Sequence, residues 1–303
     1  MDLTVEETRS KRSIQLSNIP PDATVCQLKD LIHKKHRKYH PSRTEIRLSA
    51  RDKGLKEEET LESRGITSGS TVYLKDLGPQ IGWTTVFLIE YTGPLVLYLI
   101  FYMRPSLIYG GGASAVPYHA VVHLAAACWS FHYAKRLLET VFVHRFSHGT
   151  MPLFNLFKNS GYYWSFASYI AYYVNHPLYT APSFGWSQIY VFFALFAVSE
   201  VGNLSAHLLL KNLRPPGTTT RRIPRPDYNP LNGLFNYVSC PNYTYEIMAW
   251  IAFTGMTQTL AAAFFTLAGF AQMATWALGK HRNYRREFPE YPKGRKAIVP
   301  WLL

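Results

Sequence analysis

The residues from Gly233 to Glu246, Gly-Leu-Phe-Asn-Tyr-Val-Ser-Cys-Pro-Asn-Tyr-Thr-Tyr-Glu, gather groups that could bind a ligand and hand it a proton. Asn242 offers an amide, Tyr243 and Tyr245 offer phenols, and Glu246 offers a carboxylate. Directly after them comes Ile247 to Ala271, an uncharged apolar run long enough to cross a bilayer. Polar groups that enter hydrocarbon together are costly, so a ligand site is the leading reading. A helix cap with an interfacial aromatic belt is the alternative.

Other residues invite different chemistry. His119/His123 and His144/His148 are each spaced by four, which would set both rings of a pair on one helix face and could hold a metal. A membrane di-iron hydroxylase or desaturase would show His-x-x-His-His boxes as well. The sequence has none, so no metal is expected. No Gly-x-Gly-x-x-Gly follows a strand, and a Rossmann site is not indicated. A nucleotide would instead be held by arginine forks, for which Arg214, Arg221, Arg222, Arg282 and Arg295 are available. The same arginines could be no more than a topology signal.

The elements that must position these groups fall into two parts. Residues 1–78 alternate as a small soluble domain would, with strands at 2–7, Ser13–Leu16, Glu45–Leu48 and Thr71–Leu74. A helix over Ala23–Lys38 would bury Val25, Leu28, Leu31 and Ile32. Beyond Gly78 the chain is built from apolar runs: Trp83–Met103 with Glu90 inside it, about Val116–Tyr133 ending at Lys135-Arg136, a short aromatic stretch at Tyr162–Val174, and Ser187–Leu210. In the last of these Glu200, Asn203 and His207 share one helical stripe. A final run from Glu246 to Leu278 would hold two tightly joined spans, with Gly255 and Thr257-Gln258-Thr259 as the turn.

Charge supports that division. Twelve of the 19 acidic residues precede residue 80, whereas residues 81–303 carry 17 Lys and Arg against seven acids, or +10 of the formal +13. Basic loops beside apolar spans suit cytoplasmic flanks, anionic lipid, or a polyanion such as a nucleotide or coenzyme A. Nucleic acid is not expected, because the cations do not share one soluble face. Lys211–Arg225 and Lys280–Lys296 are the most basic loops, so both are expected in the cytoplasm. With a cytoplasmic N-terminal domain, six spans fit best. No cleavable signal peptide is visible, and Cys26, Cys128 and Cys240 outline no disulfide framework.

Several motifs carry a family resemblance. Residues 1–78 resemble the ubiquitin-like β-grasp. The tail, Lys280-His281-Arg282-x-Tyr284 with Glu287-Phe288-Pro289-Glu290-Tyr291-Pro292-x-x-Arg295-Lys296, resembles the terminus of the steroid 5α-reductase superfamily. Phe142–Pro152 and Tyr237–Tyr243 resemble the very-long-chain enoyl-CoA reductases within it. The resemblance implies a multi-span α-helical protein of the endoplasmic reticulum membrane, divided as 1–78 and 79–303, with both termini cytosolic.

It further implies an NADPH-dependent reduction of long-chain trans-2-enoyl-CoA, the last step of fatty-acid elongation, beside other elongation enzymes. The alternatives are a 3-oxo-steroid 4-ene reductase and a non-enzymatic interaction protein tethered to the membrane. The family's cofactor pattern falls on Asn203, Arg214, Arg222, Asn242, His281, Tyr284 and Arg295, with Glu246 beside them. His207 departs from the acidic residue that the steroid branch has there, and Phe142 replaces its substrate tyrosine. Tyr243 is the expected proton donor with Tyr245 in reserve, Glu90 the group that orients donor or substrate, and Lys135, Phe142, His144 and Arg145 the substrate-side contacts. Asn203, Arg222 and Arg295 are expected to share one cavity.

Overall fold

The N-terminal strands alternate one buried and one open side chain, and in the computed structural model they pair accordingly. The structure describes residues 1–145, 149–214 and 221–303. Strand β1 (Leu3–Glu7) is flanked by β2 (Ser13–Leu16), antiparallel, and β4 (Thr71–Asp76), parallel, with β3 (Thr44–Arg47) antiparallel at the far edge. Helix α1 (Val25–Lys35) crosses this sheet and starts at a capping box. The Gln27 amide N–H donates to Thr24 Oγ1 at 3.2 Å, and the Thr24 N–H donates to Gln27 Oε1 at 2.8 Å. Such a box satisfies two otherwise orphaned donors.

Val25, Leu28 and Ile32 meet Leu3, Val5, Ile46, Val72 and Leu74 in the core of this β-grasp sheet. Leu31 is only partly covered, and Lys29 takes the expected buried place with its ammonium 2.8 Å from Glu57. Its long stem lies along apolar surface while the charge stays paired. Met1–Trp83 and His148–Phe157 form one compact unit, in which β5 (Gln80–Gly82) and β6 (Thr150–Pro152) pair antiparallel.

The other unit, Thr84–Ser147 and Lys158–Leu303, is helical. Six long helices stand out among the described residues: α2 (Trp83–Tyr102), α4 (Ala120–Phe142), α5 (Leu153–Val174), α6 (Gly185–Asn212), α7 (Pro241–Thr257) and α8 (Leu260–Glu287). A one-turn helix, α3 (Ser106–Tyr109), lies between α2 and α4. By length and composition alone, α2, α6 and α8 could cross a bilayer. The chain is thus a multi-span helical membrane protein with a ubiquitin-like domain ahead of it.

Three boundaries depart from expectation. Helix α4 does not stop at Lys135-Arg136 but continues to Phe142, because those cations are not in a loop. They are turned inward and paired with buried carboxylates. Helix α5 begins at Leu153, well before Tyr162. Helix α8 continues through the basic stretch to Glu287. The turn between α7 and α8 falls where the polar triplet placed it, with Gln258 left-handed at φ 48° and its N–H donating to Thr254 O at 2.7 Å.

Aromatic packing fills the bundle. Trp129 of α4 stacks on Tyr98 of α2 at 4.8 Å and meets Trp250 and Phe253 of α7 at 5.4 and 5.7 Å. At one edge of this core, Arg104 is buried after α2 and donates to Asn175 O at 2.6 Å and Val116 O at 2.8 Å. Its guanidinium lies 3.8 Å from the Tyr118 ring. Three loops are tied together by one charge.

Candidate active site

The start of α7 is fixed by residues far away in sequence. Pro241 occupies the first turn, where its missing N–H costs nothing. The preceding strand-like residues pair with the tail: Ser239 N–H donates to Lys296 O at 2.8 Å and Lys296 N–H to Tyr237 O at 2.8 Å. Thr244 Oγ1 then donates to Ile298 O at 2.6 Å. This clamp holds Asn242 and Tyr243 between α6, α8 and the tail.

Asn242 and Tyr243 line a cavity of about 410 Å³. Its wall includes Arg136, His144, Arg145, His207, Arg214, Arg221, Arg222, Lys280 and Tyr284. Among the described residues, seven of those lining it are Lys or Arg, and none is Asp or Glu. Such a concave, basic space suits a polyanion of drug size. Among the described residues of the helical unit, Nε of Arg145 on the cavity wall is buried without a protein partner, as are Nε and Nη1 of Arg295 outside it. Buried donors without acceptors are rare in folded proteins, and an anionic ligand in the cavity would satisfy that of Arg145.

Tyr243 is half-buried, and its hydroxyl accepts from Lys280 Nζ at 2.9 Å. The same ammonium lies 4.6 Å from the Tyr243 ring. Lys280 and Tyr284 are four residues apart on α8, so both side chains reach the cavity from one helix face. Tyr284 stacks on Tyr291 at 5.4 Å with the rings 6° from parallel, and Arg295 sits 5.3 Å from the Tyr291 ring.

Behind the wall lies a buried ionic network. Lys135 is 2.8 Å from Glu200 and donates to Asn203 Oδ1 at 2.7 Å. Asn203 Nδ2 donates to Asn242 O at 2.9 Å and to Glu246 Oε2 at 3.1 Å. His132 bridges the carboxylates, 2.7 Å from Glu200 and 3.4 Å from Glu246. Nearer the cavity, Arg136 reaches Glu139 at 2.6 Å and Tyr91 OH at 3.0 Å, and His207 lies 3.1 Å from Glu139. Glu139, His144 and His207 offer ligand atoms within 4.8 Å of one another. The adjoining Arg136 and Lys135 already balance the carboxylate, which disfavours a further cation there.

The expected site residues therefore separate into groups. Arg214, Arg222, Asn242, Tyr243, Tyr284, His144 and Arg145 come together on the cavity wall. Asn203, Glu246 and Lys135 lie behind it in the ion network, so Lys135, 8% exposed and paired, is not placed for a head group. Arg222 lines the cavity but Asn203 and Arg295 do not, so the three do not share one space. Asn203 acts one bond removed, through Asn242. His281 points to Ser239 at 2.6 Å and not inward.

Tyr245 is also elsewhere: its hydroxyl donates to Leu231 O at 2.7 Å, and its ring fills the space left by the absent side chain of Gly202. Glu90 is buried on α2 with Oε1 unpartnered, outside the cavity wall, and Phe142 is 67% exposed at the end of α4. Of the histidine pairs, His119 caps α4 by accepting from Val121 N–H at 3.2 Å, while His123 bonds Tyr102 OH at 2.6 Å. His148 of the second pair lies outside the described residues. Arg136 escaped sequence reasoning because it looked like a charge closing a span, and Lys280 because it was read only as the first cation of the basic tail. The Arg136/Glu139 spacing of three, inside a helix, was the available signal.

Burial, and then the adjacent Arg136, push His144 down to about 3. The folded protein holds this ring neutral, whereas an unfolded chain takes up a proton below about pH 6.5. The contribution to stability is therefore complete above that value and is lost as pH falls toward 3. His144→Gln should flatten the decline in thermal stability between about pH 6.5 and pH 4, as a pH series of melting curves in detergent would show.

Comparison with known proteins agrees with this architecture. The family model described as 3-oxo-5-alpha-steroid 4-dehydrogenase matches residues 149–303, and the one described as TECR, ubiquitin-like domain, matches residues 1–76. A Caenorhabditis elegans protein named as a probable very-long-chain enoyl-CoA reductase is 55% identical over 291 residues, 96% of this chain and 94% of its own length. The very-long-chain enoyl-CoA reductase of Dictyostelium discoideum is 46% identical over the whole of both chains. A human protein named trans-2,3-enoyl-CoA reductase-like is 46% identical over 98% of this chain and 82% of its own. Shared over both units, these likenesses make the chain a member of the very-long-chain enoyl-CoA reductase family within the steroid 5α-reductase superfamily.

Proposed function

We propose that the protein reduces long-chain trans-2-enoyl-CoA to the saturated acyl-CoA with NADPH, in the endoplasmic reticulum membrane and with its basic cavity facing the cytosol. The observation that carries this reading is a phenol, Tyr243, set in the wall of a cavity otherwise dominated by cations. The residues present fit a dinucleotide phosphate. Arg214, Arg221 and Arg222 would take its phosphates, Asn242 the carboxamide end, and Tyr284 an aromatic ring face. The unpartnered Nε of Arg145, on the cavity wall, would close on a remaining oxygen.

The chemistry that NADPH supplies when bound is a hydride for the substrate's Cβ. The chain's own groups must then stabilise an enolate-like thioester oxygen and deliver a proton to Cα. Tyr243 is the donor, since its phenol lines the cavity and can release a proton to a carbanionic centre. The network behind Asn242 holds its backbone carbonyl, through Asn203 and Lys135, so the start of α7 is fixed before substrate arrives. Partnership with other elongation enzymes follows from the reaction, whose substrate is the product of a dehydration.

Purified protein incubated with NADPH should consume it with a long trans-2-enoyl-CoA and not with a 4-ene-3-one steroid. Turnover of the steroid alone would favour the reaction named for the family model that matches residues 149–303. Absence of both activities and of NADPH binding would leave a membrane-tethered interaction protein.

A further inference from the structure

We infer that Lys280 is the positioning partner of Tyr243, holding its hydroxyl toward the reacting carbon and stabilising the phenolate that proton transfer leaves behind. This rests on the reading of Tyr243 as the donor. The ammonium donates to the hydroxyl oxygen at 2.9 Å while lying 4.6 Å from the ring, so the phenol's oxygen lone pair is occupied and its proton is left for another acceptor. A tyrosine hydroxyl has one proton to give. With Lys280 as donor to the oxygen, that proton is available to an acceptor in the cavity that both residues line.

The charge arrangement suits the step. When the Cα–H bond forms, the Tyr243 O–H bond breaks and its electron pair stays on oxygen. A cation already in hydrogen-bond contact stabilises that developing charge without reorganisation. Lys280 then passes a proton to the phenolate and regains one from cavity water, so the pair ends each turnover as it began. No carboxylate competes for the ammonium: none lines the cavity, and no salt bridge to Lys280 occurs among the described residues. Trp276, one turn earlier on α8, lies 6.4 Å from the Tyr243 ring and limits its sideways movement.

Lys280 could instead serve only as one more cation for a phosphate, and the two roles part experimentally. Lys280→Met, Lys280→Arg and Tyr243→Phe, singly and combined, would be assayed in detergent for kcat, KM for NADPH, and the solvent deuterium isotope effect. NADPH binding and melting temperature would confirm folded protein for each variant. Lys280→Met is expected to lose about 100-fold in kcat with little change in KM, and to show a larger isotope effect because proton transfer has become slower. Lys280→Arg should recover part of the rate. Added to Tyr243→Phe, Lys280→Met should cost almost nothing more, since residues acting as a unit are non-additive.

A raised KM with unchanged kcat, or an equal loss in both backgrounds, would overturn the proposal and assign Lys280 to cofactor phosphate. Near-normal turnover by Tyr243→Phe would instead remove the donor reading beneath it. If Lys280→Met does not fold, Lys280→Arg alone decides the matter: an unchanged isotope effect and full kcat, with the guanidinium unable to sit as the ammonium does, would count against a positioning role.

Discussion

Replacing Tyr243 with phenylalanine should lower kcat by about 10²–10⁴-fold while the protein still binds NADPH and melts near the parent temperature. The loss falls on kcat because the hydroxyl is needed only when Cα takes up its proton, an interaction absent from the ground state. The ring itself remains, so its contact with Trp276 persists and the cavity keeps its shape. Hydride consumption measured by NADPH absorbance, together with ligand-induced thermal shift, separates chemistry from binding. Tyr245→Phe is the informative contrast. Its hydroxyl is spent on Leu231 O and lies outside the cavity wall, so that variant should lose stability and retain most of its rate.

A large effect of another kind is expected from Lys135→Met. Removing this ammonium leaves Glu200 with only His132, deprives Asn203 Oδ1 of its donor, and strips one of two cations from Glu139. An uncompensated buried carboxylate costs about 3–5 kcal/mol, a large part of the roughly 5–15 kcal/mol by which folded proteins are ordinarily stable. The expectation is a strongly lowered melting temperature and rapid proteolysis in detergent. Lys135→Met combined with Glu200→Gln should recover much of the loss, because the orphaned charge is then gone. A double variant no better than the single one would mean that Lys135 acts through packing and not through its charge.

Much of this molecule could be read from its residues, for identifiable reasons. Alternation in the first 78 residues placed the strands, because one face of each must be buried. The Thr257-Gln258-Thr259 turn was legible because three polar residues interrupt an apolar run. What failed was the reading of charge at helix ends. Lys135, Arg136 and Lys280 all follow apolar stretches, where a cation ordinarily marks the membrane surface. Their partners, Glu200, Glu139 and Tyr243, come from other helices or later turns, so only tertiary structure distinguishes a buried pair from a topology signal.

The clustering of candidate residues was likewise overestimated. Asn203, Glu246 and Tyr245 share the stripe and motif expected of ligand contacts, yet they brace the wall from behind. Sequence spacing reports which face of a helix a residue occupies, and both the cavity and its support lie on that same side of α6 and α7.

The bonds from Ser239 to Lys296 and from Thr244 to Ile298 also bear on biosynthesis. A nascent chain that had emerged only through α8 would carry every described side chain of the cavity, the last being Tyr284, and would still lack Lys296 and Ile298, which fasten the mouth of α7. Products that stop before Lys296 are then expected to insert into the membrane as inert bundles, and the enzyme becomes competent only once residues 296–298 have been made and fold back onto α7.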